Sequence, residues 1–427
     1  MSNEVISILV LVAIFLVATV LPVHMGVLGL VAAFVVGTFV VDMEADDIFA
    51  GFPGDLFVIL VGVTYLFAIA KANGTVDWLV QASVRSVGGR IAAIPWVMFF
   101  VTGVMTALGA VVPASVAIVA PIGLGFARRY NINPVLMGLL IINGAAAGGF
   151  SPLSVFGAIV NGVVDRNDLE SNELLLWAMS IVFNVVLSVI VYFMFGGRKL
   201  LQESGRVTIA EEGEEHEAPE DHEVETATGL DRDRWLTILG IVGLIVGAVG
   251  FDLDIGFMAV TVGAILSLAS PEKTKGAVAE IAWPTVLLIC GIVTYVSLLE
   301  EIGTVDYLGD AVADLGAPLL SALLICYIGA AVSAFASTTG ILGALIPLAV
   351  PFLETGAVGA VGMIIALSLS SSIVDSSPFS TSGALVVANA GEDTREVVYK
   401  RLLRWGFTMV LVIPPVTWLV LVVPGWL

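Results

Sequence analysis

The sequence is short of charge. Only 13% of its 427 residues are Asp, Glu, Lys or Arg, against roughly 25% in a soluble domain, which excludes an ordinary soluble enzyme. Two cysteines, Cys290 and Cys326, both lie inside apolar runs, so neither a disulfide framework nor a zinc site can be built. The three histidines are His24, in a short turn, and His216 and His222, in an acidic tract. Histidine-based catalysis at membrane depth therefore has no raw material, no nucleophile with a base is visible there, and an enzyme is not expected. Basic residues are scarce as well, 17 against 37 acids for a net charge of −20, so no nucleic-acid partner is expected. None of the first 70 residues is Lys or Arg, and the first apolar run starts at Val5. Without a basic n-region that run reads as a first span, not a cleavable leader.

What the chain has is apolar length. The apolar share is 58%, with 45 glycines, and mean hydropathy is +1.04. Apolar runs fall at 4–22, 26–41, 56–72, 93–128, 134–164 and 173–196, and again at 235–250, 254–270, 284–300, 316–353, 356–390 and 402–424. Most fit one crossing of a hydrocarbon core about 30 Å thick, but the fourth and fifth of each set are far too long. Short motifs recur in the same order. Gly74-Thr75-Val76-Asp77-Trp78-Leu79 returns as Gly303-Thr304-Val305-Asp306-Tyr307-Leu308, and Ser151-Pro152-Leu153-Ser154 returns as Ser377-Pro378-Phe379-Ser380. Pro121 matches Pro347 at the latter offset of 226. The chain thus reads as an internal duplication, residues 1–200 and 235–427, joined by an acidic linker at 201–234.

Lys and Arg accumulate in cytoplasmic loops, and this tests the topology. If 93–128 and 316–353 are re-entrant hairpins, one face collects 16 basic residues and the other keeps Arg166 alone; if both cross once, the split is 9 to 8. The hairpin arrangement has the bias. Each half then crosses five times, an odd number, so the halves are inverted, both termini lie outside and the linker is cytoplasmic. The expected fold is an all-α polytopic membrane protein of two inverted repeats, each with five transmembrane helices and one re-entrant hairpin, a plan typical of transporters. The linker holds 12 of the 37 acids between Gln202 and Asp233. It reads as solvated and disordered, and its acidity suits a salt-rich, halophilic cytoplasm.

The fifth run of each half carries breakers at mid-depth. Gly148, Gly149 and Pro152 interrupt 134–164, and Asp375-Ser376-Ser377-Pro378 interrupts 356–390 after Ser368, Ser370, Ser371 and Ser372. These read as broken helices, with Ser151 as an N-cap and Pro152 at the first helical position. The hairpin tips are expected at Val112-Pro113-Ala114-Ser115 and Ser337-Thr338-Thr339-Gly340. If tips and breaks converge, several half-helix N-termini can hold an anion without a buried Lys or Arg. Candidate binding residues are Pro113, Ser115, Asn143, Ser151, Ser154, Ser337, Thr338, Thr339, Ser377 and Ser380. Asp375, the one carboxylate deep within a membrane run, is the candidate for ion or proton coupling, with Ser376 beside it, or else a helix cap.

From Gly51-Phe52-Pro53-Gly54-Asp55-Leu56-Phe57 through Asn73-Gly74-Thr75-Val76-Asp77-Trp78, and again at Ala388-Asn389-Ala390-Gly391-Glu392-Asp393, the sequence resembles the MatC-type dicarboxylate (malonate) carriers. More widely it is similar to the ion transporter superfamily, which includes the divalent anion/sodium symporters. The resemblance implies an elevator-type secondary transporter of a small dicarboxylate such as malonate or succinate. It implies a homodimer in the lipid bilayer of the cell, coupled to Na+ or H+ and without a cofactor. Those symporters carry Ser-Asn-Thr at both tips; Pro113-Ala114-Ser115 and Ser337-Thr338-Thr339 depart from it, so the sodium ligands do not carry over. A sodium/proton antiporter, or a permease for another small anion, fits the same plan.

Overall fold

The computed structural model describes residues 2–86, 90–167, 169–170, 172–202, 231–251, 253–304, 307, 317–334, 338–354 and 356–425. Most of the linker, Ser337, Asp306 and Trp426 therefore lie outside the described residues. Every regular element among those described is helical, as it must be for runs this apolar, because in lipid a helix satisfies its own backbone.

The first half comprises α1 (Asn3–Val20), α2 (Met25–Val40), α3 (Ala45–Ala50), α4 (Gly54–Ala72), α5 (Thr75–Ser86), α6 (Ile94–Ala107), α7 (Val112–Arg129), α8 (Pro134–Gly148), α9 (Val155–Arg166), α10 (Glu173–Met194) and α11 (Gly197–Gln202). The second comprises α12 (Arg232–Phe251), α13 (Ile255–Ala269), α14 (Pro271–Thr274), α15 (Trp283–Glu301), α16 (Pro318–Ser333), α17 (Thr338–Glu354), α18 (Ala360–Ile373), α19 (Thr381–Asn389) and α20 (Glu392–Thr417). Among the described residues six helical segments are long and apolar enough to cross a membrane, and seven shorter apolar helices accompany them. The repeated Gly-Thr motif has a physical basis. Gly74 and Gly303, at φ 76° and 80°, end α4 and α15 in the left-handed region that only glycine enters cheaply.

Small residues bring the halves together. Gly26 and Gly29 of α2 meet the backbone of Leu287 and Gly291 of α15, and Gly62 of α4 meets that of Gly256 in α13. Lipid gives no hydrophobic drive for such association, so close backbone approach and dispersion supply it. Both pairs run parallel: Gly26 lies by Leu287 and Gly37 by Leu298, while Gly256 lies by Ile59 and Gly263 by Tyr65. Tyr65 Oη bonds Ser267 Oγ at 2.6 Å, and Lys71 reaches Glu280 at 3.3 Å. The second helix of each half thus pairs with the fourth of the other, α2 with α15 and α13 with α4.

Both over-long runs of each half are interrupted. In the first half α6 runs parallel to α8, with Gly103 against Gly144 and Gly148 against Thr106, while α7 runs antiparallel to α8, with Gly123 near Met137 and Gly149 near Val112. The segments α6 and α7 therefore form a helical hairpin. In the second half Gly329 of α16 lies by Ser371 and Leu367 of α18 and by Leu345 of α17, giving the same arrangement. One expectation needs correction. The first tip is Leu108–Val111, with Gly109 at φ 107°, and Pro113 instead sits in the first turn of α7. A proline there loses no hydrogen bond.

Solvent-facing apolar side chains concentrate on α1, α2, α10, α12 and α20, including Leu16, Phe39, Val186, Leu239 and Leu411. A surface this apolar and this continuous is a lipid-facing belt. The innermost helices are α8 and α18: every residue of α8 after Pro134 and every residue of α18 after Val361 is buried.

Candidate functional site

Each break is clamped by two serines in the same way. Ser154 caps α9 by accepting the Gly157 N–H at 3.1 Å, and its hydroxyl donates back to the carbonyls of Gly149 and, at 2.7 Å, Ser151. Ser380 caps α19 by accepting the Gly383 N–H at 3.4 Å, and donates to the carbonyls of Asp375 at 2.6 Å and Ser377 at 2.7 Å. Ser151 Oγ donates to the Ala107 carbonyl at 2.9 Å and Ser377 Oγ to the Ala334 carbonyl at 2.7 Å. The first serine of each Ser-Pro-x-Ser motif thus ties the break to the hairpin tip of its own half; the second starts the half-helix. This overturns the reading of Ser151 as N-cap and Pro152 as first helical residue: the helix begins at Val155. Gly157 and Gly383 complete the device, since a Cβ at either would overlap the carbonyl oxygen of Ser151 or Ser377.

The remaining candidates divide. Asn143 is buried but donates to Ser188 Oγ of α10 at 3.1 Å, which explains it as a helix-to-helix tie. Thr338 Oγ1 pairs with Ser333 Oγ at 2.7 Å across the second tip, and Thr339 is buried next to it. Ser376 Oγ donates to the Ile373 carbonyl at 3.2 Å. Asp375 is 5% exposed, and its Oδ2 accepts from Ser382 Oγ at 2.6 Å in the first turn of α19. The carboxylate is therefore not the cap, a place Ser380 holds, but sits against the positive end of that half-helix.

Among the described residues four buried serine hydroxyls have no partner: Ser115 in the first turn of α7, and Ser368, Ser371 and Ser372 on α18 leading down to Asp375. An orphaned buried hydroxyl costs about 1–3 kcal/mol, so each of these is a group that a further partner would stabilise. The serine density of α18 was legible in the sequence; Ser382, which meets the carboxylate, carried no signal beyond its place in the next helix.

No Lys or Arg occurs between Arg90 and Arg128, between Arg129 and Arg166, or between Lys275 and Arg395, so no basic residue lies within the segments that form the breaks, and the helix N-termini add positive potential there. The two breaks are coupled across the halves: α8 packs on the Val374–Ser376 turn and on α19, α19 on α7, and α9 on α17. A cleft of about 530 Å³ lined by Pro152, Asn161, Arg166, Asp55 and Asp254 reaches the first break, with Arg166 ion-paired to Asp55. Beside Ala334 and Ser377 at the second break the void is only about 10 Å³, too small for more than a single water.

Residues 1–149 match the model of the dicarboxylate carrier protein MatC N-terminus, and residues 254–426 match the model of the citrate transporter family. Both matched models describe transporter families. Neither matched family is one of enzymes. No curated protein matches. Among solved structures the chain is similar to one titled "Crystal structure of the Alcanivorax borkumensis YdaH transporter reveals an unusual topology". The TM-score is 0.61 over 98% of each chain at 14% identity, a likeness of fold. The chain is thus a multi-pass, all-helical membrane protein of a transporter fold.

Proposed function

We propose that this protein is a secondary active transporter of a small dicarboxylate such as malonate or succinate, coupled to Na+ or H+. The observation that carries the reading is the twice-built clamp, Ser151–Ser154 and Ser377–Ser380. It holds two half-helix N-termini in a buried region without Lys or Arg, and such termini bind carboxylates. The matches to a dicarboxylate carrier and a citrate transporter family support the same chemistry.

The exchanged helix pairings and the duplicated hairpins support two inverted repeats, with α6–α10 and α16–α20 as the moving unit of an elevator and α1–α4 with α12–α15 as its scaffold. A homodimer through that scaffold completes the reading. The separation of an acidic cleft with Asp55, Asp165, Glu173 and Asp254 from a basic one with Lys199 and Arg401 supports an outside and a cytoplasmic face. Asp375 favours a second reading, a sodium/proton antiporter in which its carboxylate takes the ion. A thermal-stability screen of the purified chain separates the two. The dicarboxylate reading expects malonate or succinate to raise the melting temperature as ligand binding to the folded state requires, whereas stabilisation by sodium alone, with every dicarboxylate silent, replaces it with the antiporter.

A further inference from the structure

A second cleft, of about 410 Å³, lies away from both breaks, between the first turn of α8, the α10–α11 corner and the first turns of α20. Lys199 and Arg401 line it, with Asn131 between them, and its apolar wall includes Phe195, Leu200 and Val397. None of the described residues that line it is a carboxylate. Its corner is made possible by Gly196, at φ 106°, which turns the chain out of α10 so that Lys199 comes round one turn later. The first turn of α8, a 15-residue helix, adds the positive end of its dipole.

Two further features set the class of ligand. The cleft opens beside exposed apolar side chains that continue the lipid-facing belt: Phe193, Met194, Leu201 and Val397, each about half exposed. On the proposed topology it also stands on the face that collects the chain's Lys and Arg, and anionic headgroups meet basic pockets between helices on such a face. A soluble dicarboxylate would use the cations but not the apolar wall; an amphiphile uses both. We infer that this cleft is a binding site for an acidic phospholipid, its phosphate on Lys199 and Arg401 and its glycerol and upper acyl carbons along Phe195, Leu200 and Val397. Charge-assisted bonds from two different elements to one phosphate tie the α10–α11 corner to α20.

The test is native mass spectrometry of the full chain released from nanodiscs of mixed phosphatidylglycerol and phosphatidylcholine. The wild type retains phosphatidylglycerol in preference to phosphatidylcholine, and the K199Q/R401Q variant loses that preference by about ten-fold or more. The control K400Q, whose side chain pairs with Glu396 at 2.5 Å outside the cleft, retains it. A melting curve for each variant shows that the fold persists. In a second arm inorganic phosphate at millimolar concentration leaves lipid retention unchanged. Equal retention of phosphatidylglycerol by wild type and K199Q/R401Q overturns the assignment, as does equal retention of the two lipids by the wild type. Displacement of the lipid by inorganic phosphate alone also overturns it, and makes the cleft a site for free anions.

Discussion

Replacing Ser380 with Ala removes one hydroxyl that does three things. The α19 cap is lost, worth about 1 kcal/mol in ordinary proteins. The Asp375 carbonyl, which accepts from that hydroxyl at 2.6 Å, loses its donor in a region Ser380 shares at only 1% exposure, and the Ser377 carbonyl is left with the Ser380 N–H at 3.1 Å. Buried carbonyls deprived of a partner cost about 1–3 kcal/mol. The sum is about 2–4 kcal/mol for S380A; S154A loses only the cap, about 1 kcal/mol, because the Gly149 and Ser151 carbonyls keep the Gly157 and Ser154 N–H groups at 3.2 and 2.8 Å. Reversible unfolding in mixed micelles by sodium dodecyl sulfate, followed by tryptophan fluorescence, measures it. S380T keeps the hydroxyl and recovers most of the loss. A loss for S380A below about 0.5 kcal/mol, the level of an ordinary surface substitution, would refute the clamp.

Substituting Gly383 or Gly157 with Ala forces a Cβ into the Ser377 or Ser151 carbonyl, and each variant is expected to fall below detectable folded yield in size-exclusion chromatography, whereas Gly125→Ala, with nothing within 4 Å, folds as wild type. D375N, which keeps the shape and the Ser382 contact but not the charge, is expected to abolish the dependence of transport on its driving gradient while leaving the melting temperature within a few degrees; unchanged gradient dependence would leave Asp375 a structural group. At the corner of α12 and α14, Lys273 and Ser270 hold the Asp233 carboxyl below its usual range through hydrogen bonds. A carboxylate whose folded value is lowered gives stability that is present above its unfolded value and lost as pH falls through the folded one. Acid melting curves should therefore show the K273Q variant losing less stability than wild type as pH drops below about 4, and identical acid profiles would contradict this.

How much of this was legible in the sequence depended on length and symmetry. Runs 93–128 and 316–353 were too long for one crossing, and each holds two helices among the described residues, α6 and α7 or α16 and α17; runs 134–164 and 356–390 held breakers, and α8 stops at Gly148 and α18 at Ile373. Local chemistry was harder to place. Pro113 reads as a tip because proline marks turns, yet it is equally at home in a first helical turn, and Gly109 was the true signal. The Ser-Pro-x-Ser motif offers two serines. Proline drew attention to the first, but the cap needs the N–H of a residue three places on, which Gly157 supplies to Ser154. Asn143 looked like a ligand because it precedes the break; Ser188, 45 residues away, explains it instead. Tertiary partners of that kind leave no trace in local pattern.

The central claim, that clamped half-helices serve a coupled dicarboxylate carrier, meets its most direct test in proteoliposomes. Labelled malonate, succinate and citrate are offered in turn under an imposed inward sodium gradient, an inward proton gradient, or none. The account predicts concentrative uptake of at least one dicarboxylate under one of the two gradients and its loss when that gradient is collapsed. No uptake of any of the three acids under either gradient, with proton release driven by sodium in the same vesicles, would contradict it.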